Sequence, residues 1–322
     1  MNIRLTQIDG ALPNLALMKL AHWHKSNGDK VVVTRSIEAT PEESAYDLVY
    51  GSAIFRFSFD RLTKFSQSWP QAIVGGTGTF NANTVEQIIG GEYEKYDYSG
   101  YSDFDASIGF TQRGCRLSCK FCVVPQKEGK PRSVNTIYDI WRGEPWPRKL
   151  HLLDNDFFGQ PEWVDRIREI REGKFRVCLS QGINVRMITE ESAASLSSIQ
   201  YRNTKFNERK LYTAWDNLRD EQVFFSGVDR LEAAGIPPKH LMAYMLIGFD
   251  IEETWDRIWY RFLRMVERGI EPYPMVYNRS RTDLLCFQRW AVRGLYRIIP
   301  WDKYERGTKS SESMEAFLRC KK

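Results

Sequence analysis

No stretch of this 322-residue chain stays apolar long enough to cross a bilayer: the most apolar segment, LMAYMLIGF from Leu241, is about half the ~20 residues a membrane helix needs. The first residues, MNIRLTQIDG, lack the apolar core of a secretory signal. Low hydrophobicity and extreme charge are absent as well; with 42% hydrophobic and 27% charged residues, wholesale disorder is excluded. A chain of this length buries enough core to fold without disulfides. Its six cysteines are therefore expected as reduced thiols in the cytoplasm, where clustered cysteines more often hold metal or do chemistry than pair, and no membrane partner is expected.

What is present is uneven. Residues 1–100 carry nine Lys/Arg against eleven Asp/Glu, a net of −2, whereas residues 279–322 carry eleven against five, a net of +6. A basic tail of this kind is either a solvated helix face or a contact for a polyanion.

The first ninety residues alternate strand and helix. IRLTQI leads through Asp9, Gly10 and Pro13 into a helix with Leu17, Leu20, Ala21 and His24 on one stripe, ended by Asn27-Gly28. KVVVTRSI, LVYGSAIF and AIVGG supply further strands, and NTVEQIIG a second amphipathic helix. Repeated β-α-β units with glycine at strand ends predict a small, doubly wound parallel sheet over 1–90, with its crevice near Asp9 to Asn14 and Gly75 to Thr79. Residues 91–105, rich in Gly, Tyr and charge, read as a linker or wrapping loop.

From Ala106 to Asn278 the alternation is clearer. Strands are expected at ASIGFTQ, KLHLLD, FRVCLS, KLYTAW, LMAYMLIGF and PYPMVYN. Between them, Ser133 is read as the cap of a helix through Trp141, and Trp255, Ile258, Trp259 and Phe262 recur at helical spacing. Six β-α units in series with continuous apolar strands predict an open or partial barrel whose function sits at the strands' C-terminal ends.

One such end is followed by RGCRLSCKFC, which holds Cys115, Cys119 and Cys122. Three thiolates can ligate three irons of a [4Fe-4S] cluster and leave the fourth open. The alternative is a zinc site closed by His151 or Cys178, although only Cys119 and Cys122 have the usual paired zinc spacing. The Cys-x3-Cys-x2-Cys spacing after a strand resembles the signature of the radical S-adenosylmethionine (SAM) superfamily. The resemblance covers about residues 106–278. It implies a partial (β/α)6 barrel, a [4Fe-4S] cluster on Cys115, Cys119 and Cys122, and SAM chelated by the open iron. It further implies an external electron donor of flavodoxin or ferredoxin type, and reductive cleavage of SAM to a 5′-deoxyadenosyl radical that takes hydrogen from an unknown substrate.

The same resemblance extends residue by residue. Phe121 stands where the superfamily commonly has an aromatic beside the adenine. The usual Gly-Gly-Glu triplet after the second strand is missing, but Asp154-Asn155-Asp156-Phe157 resembles the Asp-Asp-x-Phe variant of the subgroup that often carries an N-terminal cobalamin-binding domain. Asp154, Asn155 or Asp156 would accept from the SAM ammonium; each is equally suited to a turn or helix cap. Ser180, Asn184 and Arg186 share the next rim, where an arginine fork suits the SAM carboxylate or a salt bridge that holds the barrel. Asp216 is a candidate for ribose or substrate. Gly248 in LIGFD allows either an adenine to approach or a tight strand exit.

By its position, the first domain then resembles a cobalamin-binding domain. It lacks the Asp-x-His-x-x-Gly cobalt-ligand motif: the first strand exits into Asp9-Gly10-Ala11-Leu12-Pro13-Asn14, and His22 and His24 lie inside a helix. A cobalamin-free relic or a substrate-facing domain is expected, with cobalamin bound without histidine as the alternative. Residues 279–322 read as a helical extension with Arg289, Arg293 and Arg297 on one face near Phe287, Trp290 and Tyr296, and KEGKPR from Lys127 adds cations beside the cysteines. An amphipathic cover over the barrel and a nucleic-acid contact both fit that tail. Within the radical SAM reading, cobalamin-dependent methyl transfer and nucleobase or tRNA modification stay open. The competing class is a nonenzymatic, metal-stabilised nucleic-acid-binding protein.

Overall fold

Valine- and isoleucine-rich runs punctuated by glycine fold into parallel sheets in a computed structural model that describes residues 1–40, 43, 45–79, 83–305 and 309–321. The chain divides into two compact units, Met1–Asp105 and Ala106–Lys322.

The first unit runs β1 (Asn2–Gln7), α1 (Leu15–Ser26), β2 (Lys30–Thr34), β3 (Leu48–Ser52), α2 (Phe59–Ser68), β4 (Ile73–Gly75) and α3 (Val85–Ile89). Its sheet has the order β2-β1-β3-β4, and every pairing is parallel. The strand order reverses between β1 and β3, so the crevice of a doubly wound sheet falls there. Ile3 and Leu5 of central β1 are fully buried and pack with Leu17, Leu20 and Ala21 of α1. Asn14 caps α1 by accepting from Leu17 N at 3.2 Å, and its Nδ2 donates to Ser52 Oγ at 2.8 Å. Of the two readings of residues 91–105, the contacts fit the wrapping loop. Tyr93 meets His22 at 2.5 Å, Glu94 pairs with Lys19 at 2.5 Å, and Asp97 N donates to Met18 O at 3.1 Å, so the segment is laid along α1.

The second unit opens with β5 (Ser107–Gly109), the short hairpin strands β6 (Gln112–Arg113) and β7 (Arg132–Ser133) around α4 (Val124–Glu128), and α5 (Ile137–Ile140). It continues through β8 (Lys149–Leu152), α6 (Trp163–Glu172), β9 (Arg176–Cys178), α7 (Glu190–Ser197), β10 (Gln200–Tyr201), β11 (Leu211–Ala214), α8 (Glu221–Ala233), β12 (Leu241–Ile247), α9 (Trp255–Glu267), β13 (Glu271–Val276), α10 (Thr282–Val292) and α11 (Ser311–Cys320). The parallel strands form two sheets, β10-β9-β8-β5 and β11-β12-β13. A backbone bond from Ile183 N to Tyr212 O at 2.7 Å links the segment after β9 to β11. Period-two burial is plain in β12, where Leu241, Ala243, Met245 and Ile247 are fully buried. Against this face lies α9, whose Trp255, Ile258, Trp259, Phe262 and Met265 are buried in the same core. Each such side chain contributes about 1.5–3 kcal/mol of transfer free energy.

Three expectations change. The pair Gln200–Tyr201 forms an additional strand on β9, too short to show periodicity. The helix before β8 is capped by Thr136, not Ser133, because Thr136 and Asp139 make a reciprocal capping box while Ser133 belongs to β7. The tail is not one long helix: α10 ends at Val292 and Gly294 turns left-handed at φ 68°, so Arg297 falls in the following turn and leaves the row of Arg289 and Arg293. Leu284, Phe287, Trp290, Trp301 and Phe317 of this tail share the core of the second unit, which fits the cover reading. Residues 306–308 and 322 of the tail lie outside the described residues.

Candidate functional site

The segment between β6 and β7 carries Cys115, Cys119 and Cys122, all half-buried free thiols. Its geometry is set first at Gly114, which adopts φ 84° and where a β-carbon would stand 2.2 Å from Lys130 O. Glu128 then closes the loop. Its Oε2 accepts from Gly114 N at 3.0 Å and from Asn155 Nδ2 at 2.9 Å, while Oε1 pairs with Arg113 at 3.0 Å. KEGKPR therefore closes the cysteine loop through Glu128 in addition to supplying cations. Arg116, inside the loop, forks onto Asp156, with Nε to Oδ2 at 2.6 Å and Nη2 to Oδ1 at 2.8 Å. Gln112 spans the same junction, donating to Arg113 O at 2.7 Å and Gly114 O at 2.8 Å and accepting from Asp156 N at 3.1 Å.

Burial pushes the Cys115 thiol up, and the Asp156 carboxylate adds to the shift. Burial also raises Cys122, and the charges of Cys119 and Glu128 add to the shift, with a smaller contribution from Asp216. Arg186 follows β9. Burial opposes its charge, yet the Asp220 carboxylate at 2.7 Å and the Cys119 sulfur hold it above the ordinary guanidinium value.

The remaining candidates divide. Phe121 packs edge-on against Phe249 at 5.5 Å, and Phe249 meets Tyr277 at 4.9 Å, so aromatic groups from the loop and from the exits of β12 and β13 adjoin. Gly248, at φ 75°, precedes Phe249 and donates its N–H to Glu253 at 3.0 Å. Asp216 accepts from Leu246 N at 2.9 Å; burial raises its pKa against that bond and against the charges of Arg261 and Arg186. A cleft beside Phe121 is lined by Asp216, Leu246, Phe249, Glu253 and Arg261. Asp154 is turned elsewhere, onto Thr111 N at 2.7 Å, Gln112 N at 3.1 Å and the Thr111 hydroxyl, and burial raises its pKa to about 7. Ser180 uses its carbonyl to accept from Tyr244 at 2.8 Å, and its buried hydroxyl has no hydrogen-bond partner among the described residues. Asn184 has a buried Nδ2 with no partner among the described residues.

Sequence reasoning missed Gln112, Arg116 and Glu128. A carboxylate six residues after the last cysteine and an arginine between the first two were the available hints, but their partners lie far along the chain. Of the two residues proposed to close a zinc site, His151 pairs in register with Cys178 across β8 and β9 and packs edge-on against Phe206 at 4.9 Å, while burial pushes Cys178 up to about 12. Among the described residues, no three His, Cys, Asp or Glu side chains converge tightly enough to chelate one ion. In the first unit, buried His24 bonds Asp29 at 2.7 Å and Tyr50 at 3.2 Å beside the start of β2, and His22 meets Tyr93 at 2.5 Å. No helix is long and apolar enough to cross a membrane among the described residues. No protein-family profile matches the chain, and no curated protein matches it significantly.

Proposed function

We propose that this chain is a radical SAM enzyme. The observation that carries the reading is a single loop after the first strand of the second unit that holds three half-buried free thiols within eight residues and is pinned by Glu128 at Gly114 and by Arg116 on Asp156. Soft thiolate donors suit iron-sulfur ligation, and three of them leave one iron for a small ligand. In this reading the series of parallel strands is a partial barrel and its C-terminal ends are the catalytic rim.

Cys115, Cys119 and Cys122 would hold a [4Fe-4S] cluster. When bound with SAM, such a cluster supplies reductive cleavage of the sulfonium and a carbon radical able to take hydrogen from substrate. The chain does the positioning. Arg186 offers a guanidinium edge beside Cys119 for the SAM carboxylate, with Asp220 fixing its orientation. Asn155 and the unpartnered Nδ2 of Asn184 offer amide groups at the same rim. Asp154 and Asp156 keep structural duties, gripping the backbone at residues 111–112 and Arg116. Phe121 and Phe249 line the cleft for adenine, with Gly248 turning the chain just before Phe249, and Asp216 stands at its wall for a ribose hydroxyl or substrate. An external one-electron donor completes the requirement.

Anaerobic reconstitution with iron and sulfide tests the first half of this reading. The wild type is expected to take up about four irons per chain with broad visible absorbance, and Cys115→Ala, Cys119→Ala and Cys122→Ala each to lose most of it. Stoichiometric zinc in the protein as isolated, with no cluster after reconstitution, would overturn it.

A further inference from the structure

The sheet edge where β1 and β3 part in the first unit carries a feature the proposed activity does not use. Ile54, Phe55, Phe57 and Phe59 are 39%, 42%, 60% and 53% exposed, four large apolar side chains within six residues. Exposed apolar residues are ordinarily scattered singly, and a contiguous group marks a contact surface. Phe55 and Phe57 are stacked with centroids 4.9 Å apart and planes 9° from parallel. Exposed Arg56 lies between them in sequence, and exposed Arg61 and Lys64 follow on α2, against one carboxylate, Asp60. The cations are a local concentration, since residues 1–100 are net negative.

The backbone beneath this display is fixed at several points. Asp9 at the exit of β1 accepts from Ile54 N at 2.7 Å and Phe55 N at 2.9 Å. Gly76 and Gly78 let the turn after β4 press against the same loop: a β-carbon at Gly76 would stand 2.2 Å from Ala53 O, and one at Gly78 2.7 Å from the Phe55 backbone. Gly78 N donates to Ala53 O at 2.9 Å, and Arg61 Nε ties α2 to Ile8 O at 2.8 Å. The backbone that carries Phe55 is therefore fixed before anything binds, which lowers the ordering entropy lost on association.

From flat aromatic faces interleaved with cations at the reversal point of a parallel sheet, we infer that residues 54–64 form a binding surface for single-stranded nucleic acid. Bases stack on Phe55 and Phe57, and phosphates pair with Arg56, Arg61 and Lys64. Stacking tolerates any base, so the surface tracks strand rather than sequence. This inference is separate from the radical SAM reading, because it requires neither cluster nor SAM.

Fluorescence anisotropy of a labelled oligouridylate of about 12 nucleotides with the full-length chain tests it, at about 50 and 200 mM salt. Saturable binding that weakens with salt is expected. Phe55→Ala combined with Phe57→Ala should weaken it by roughly tenfold or more. Phe57→Trp should retain binding, and Arg56→Gln should reduce the salt slope by about one. Circular dichroism establishes that each variant is folded. Absence of saturable binding by wild type would overturn the inference. So would full binding by the folded double variant, loss through Arg289→Ala with Arg293→Ala alone, or capture of phosphatidylcholine/phosphatidylserine vesicles in place of the oligonucleotide.

Discussion

Arg116 and Asp156 join the cysteine loop to the exit of β8 through a two-pronged ion pair at 2.6 and 2.8 Å, and the carboxylate is wholly buried while the guanidinium is about a third exposed. The pair fixes Cys115 next door and costs the loop its freedom to swing. Arg116→Ala leaves the Asp156 carboxylate buried with the backbone N–H of residue 116 as its remaining donor among the described residues. We expect a loss of about 1–3 kcal/mol in urea unfolding, below the ~3–5 kcal/mol of a fully buried pair because water screens one partner. Arg116→Lys should restore charge but not the fork, and recover less than half of the cluster loading lost in the alanine variant.

Gly114 predicts a sharper result. A methyl at φ 84° that also meets Lys130 O at 2.2 Å forces apart the turn that Glu128 closes. Gly114→Ala should cost about 1–3 kcal/mol and abolish cluster uptake, whereas Gly129→Ala, where a β-carbon meets open space, should cost only the positive-φ strain of about 1 kcal/mol. Iron content and urea midpoints of the two variants, measured together, check this.

Asp154 makes stability depend on pH. Burial raises its pKa from 3.8 to about 7, so the folded chain keeps a proton that the unfolded chain releases near pH 4. Stability contributed by this group therefore falls as pH rises from about 4 to about 7 and is level above. Asp154→Asn should flatten that slope while lowering stability throughout, since an amide accepts fewer of the three bonds from Thr111 and Gln112. Urea midpoints at about pH 5 and pH 8 for both proteins decide it.

Arg261 lies under the cleft, buried, and donates to Trp215 O at 2.9 Å, Asp216 O at 3.2 Å and Leu246 O at 3.0 Å besides pairing with Glu253. It joins the exits of β11 and β12. Arg261→Met should destabilise by about 3–5 kcal/mol through the stranded Glu253 carboxylate, and Arg261→Met with Glu253→Gln should recover part of that loss, as equilibrium unfolding would show.

The strands were legible because their apolar runs are bounded by glycine: LMAYMLIGF became β12 and KLHLLD became β8 with little change. Cys115, Cys119 and Cys122 were legible because their spacing is local. What stayed hidden is long-range. Arg116 and Asp156 are forty residues apart, and Gly114 and Glu128 fourteen, so no periodicity announces them. Residues 91–105 left linker and wrapping loop open for the same reason, since the partners that lay them along α1, Lys19 and His22, are far upstream. The tail was overextended because Arg289, Arg293 and Arg297 keep a helical interval across Gly294, where the backbone turns.

The central claim meets its most direct test in the reconstituted protein incubated anaerobically with dithionite and SAM, with 5′-deoxyadenosine measured by chromatography. Wild type is expected to form it and Cys119→Ala to form none. A wild type that carries its cluster and binds SAM yet never yields 5′-deoxyadenosine, with or without a flavodoxin-type donor, would contradict the account.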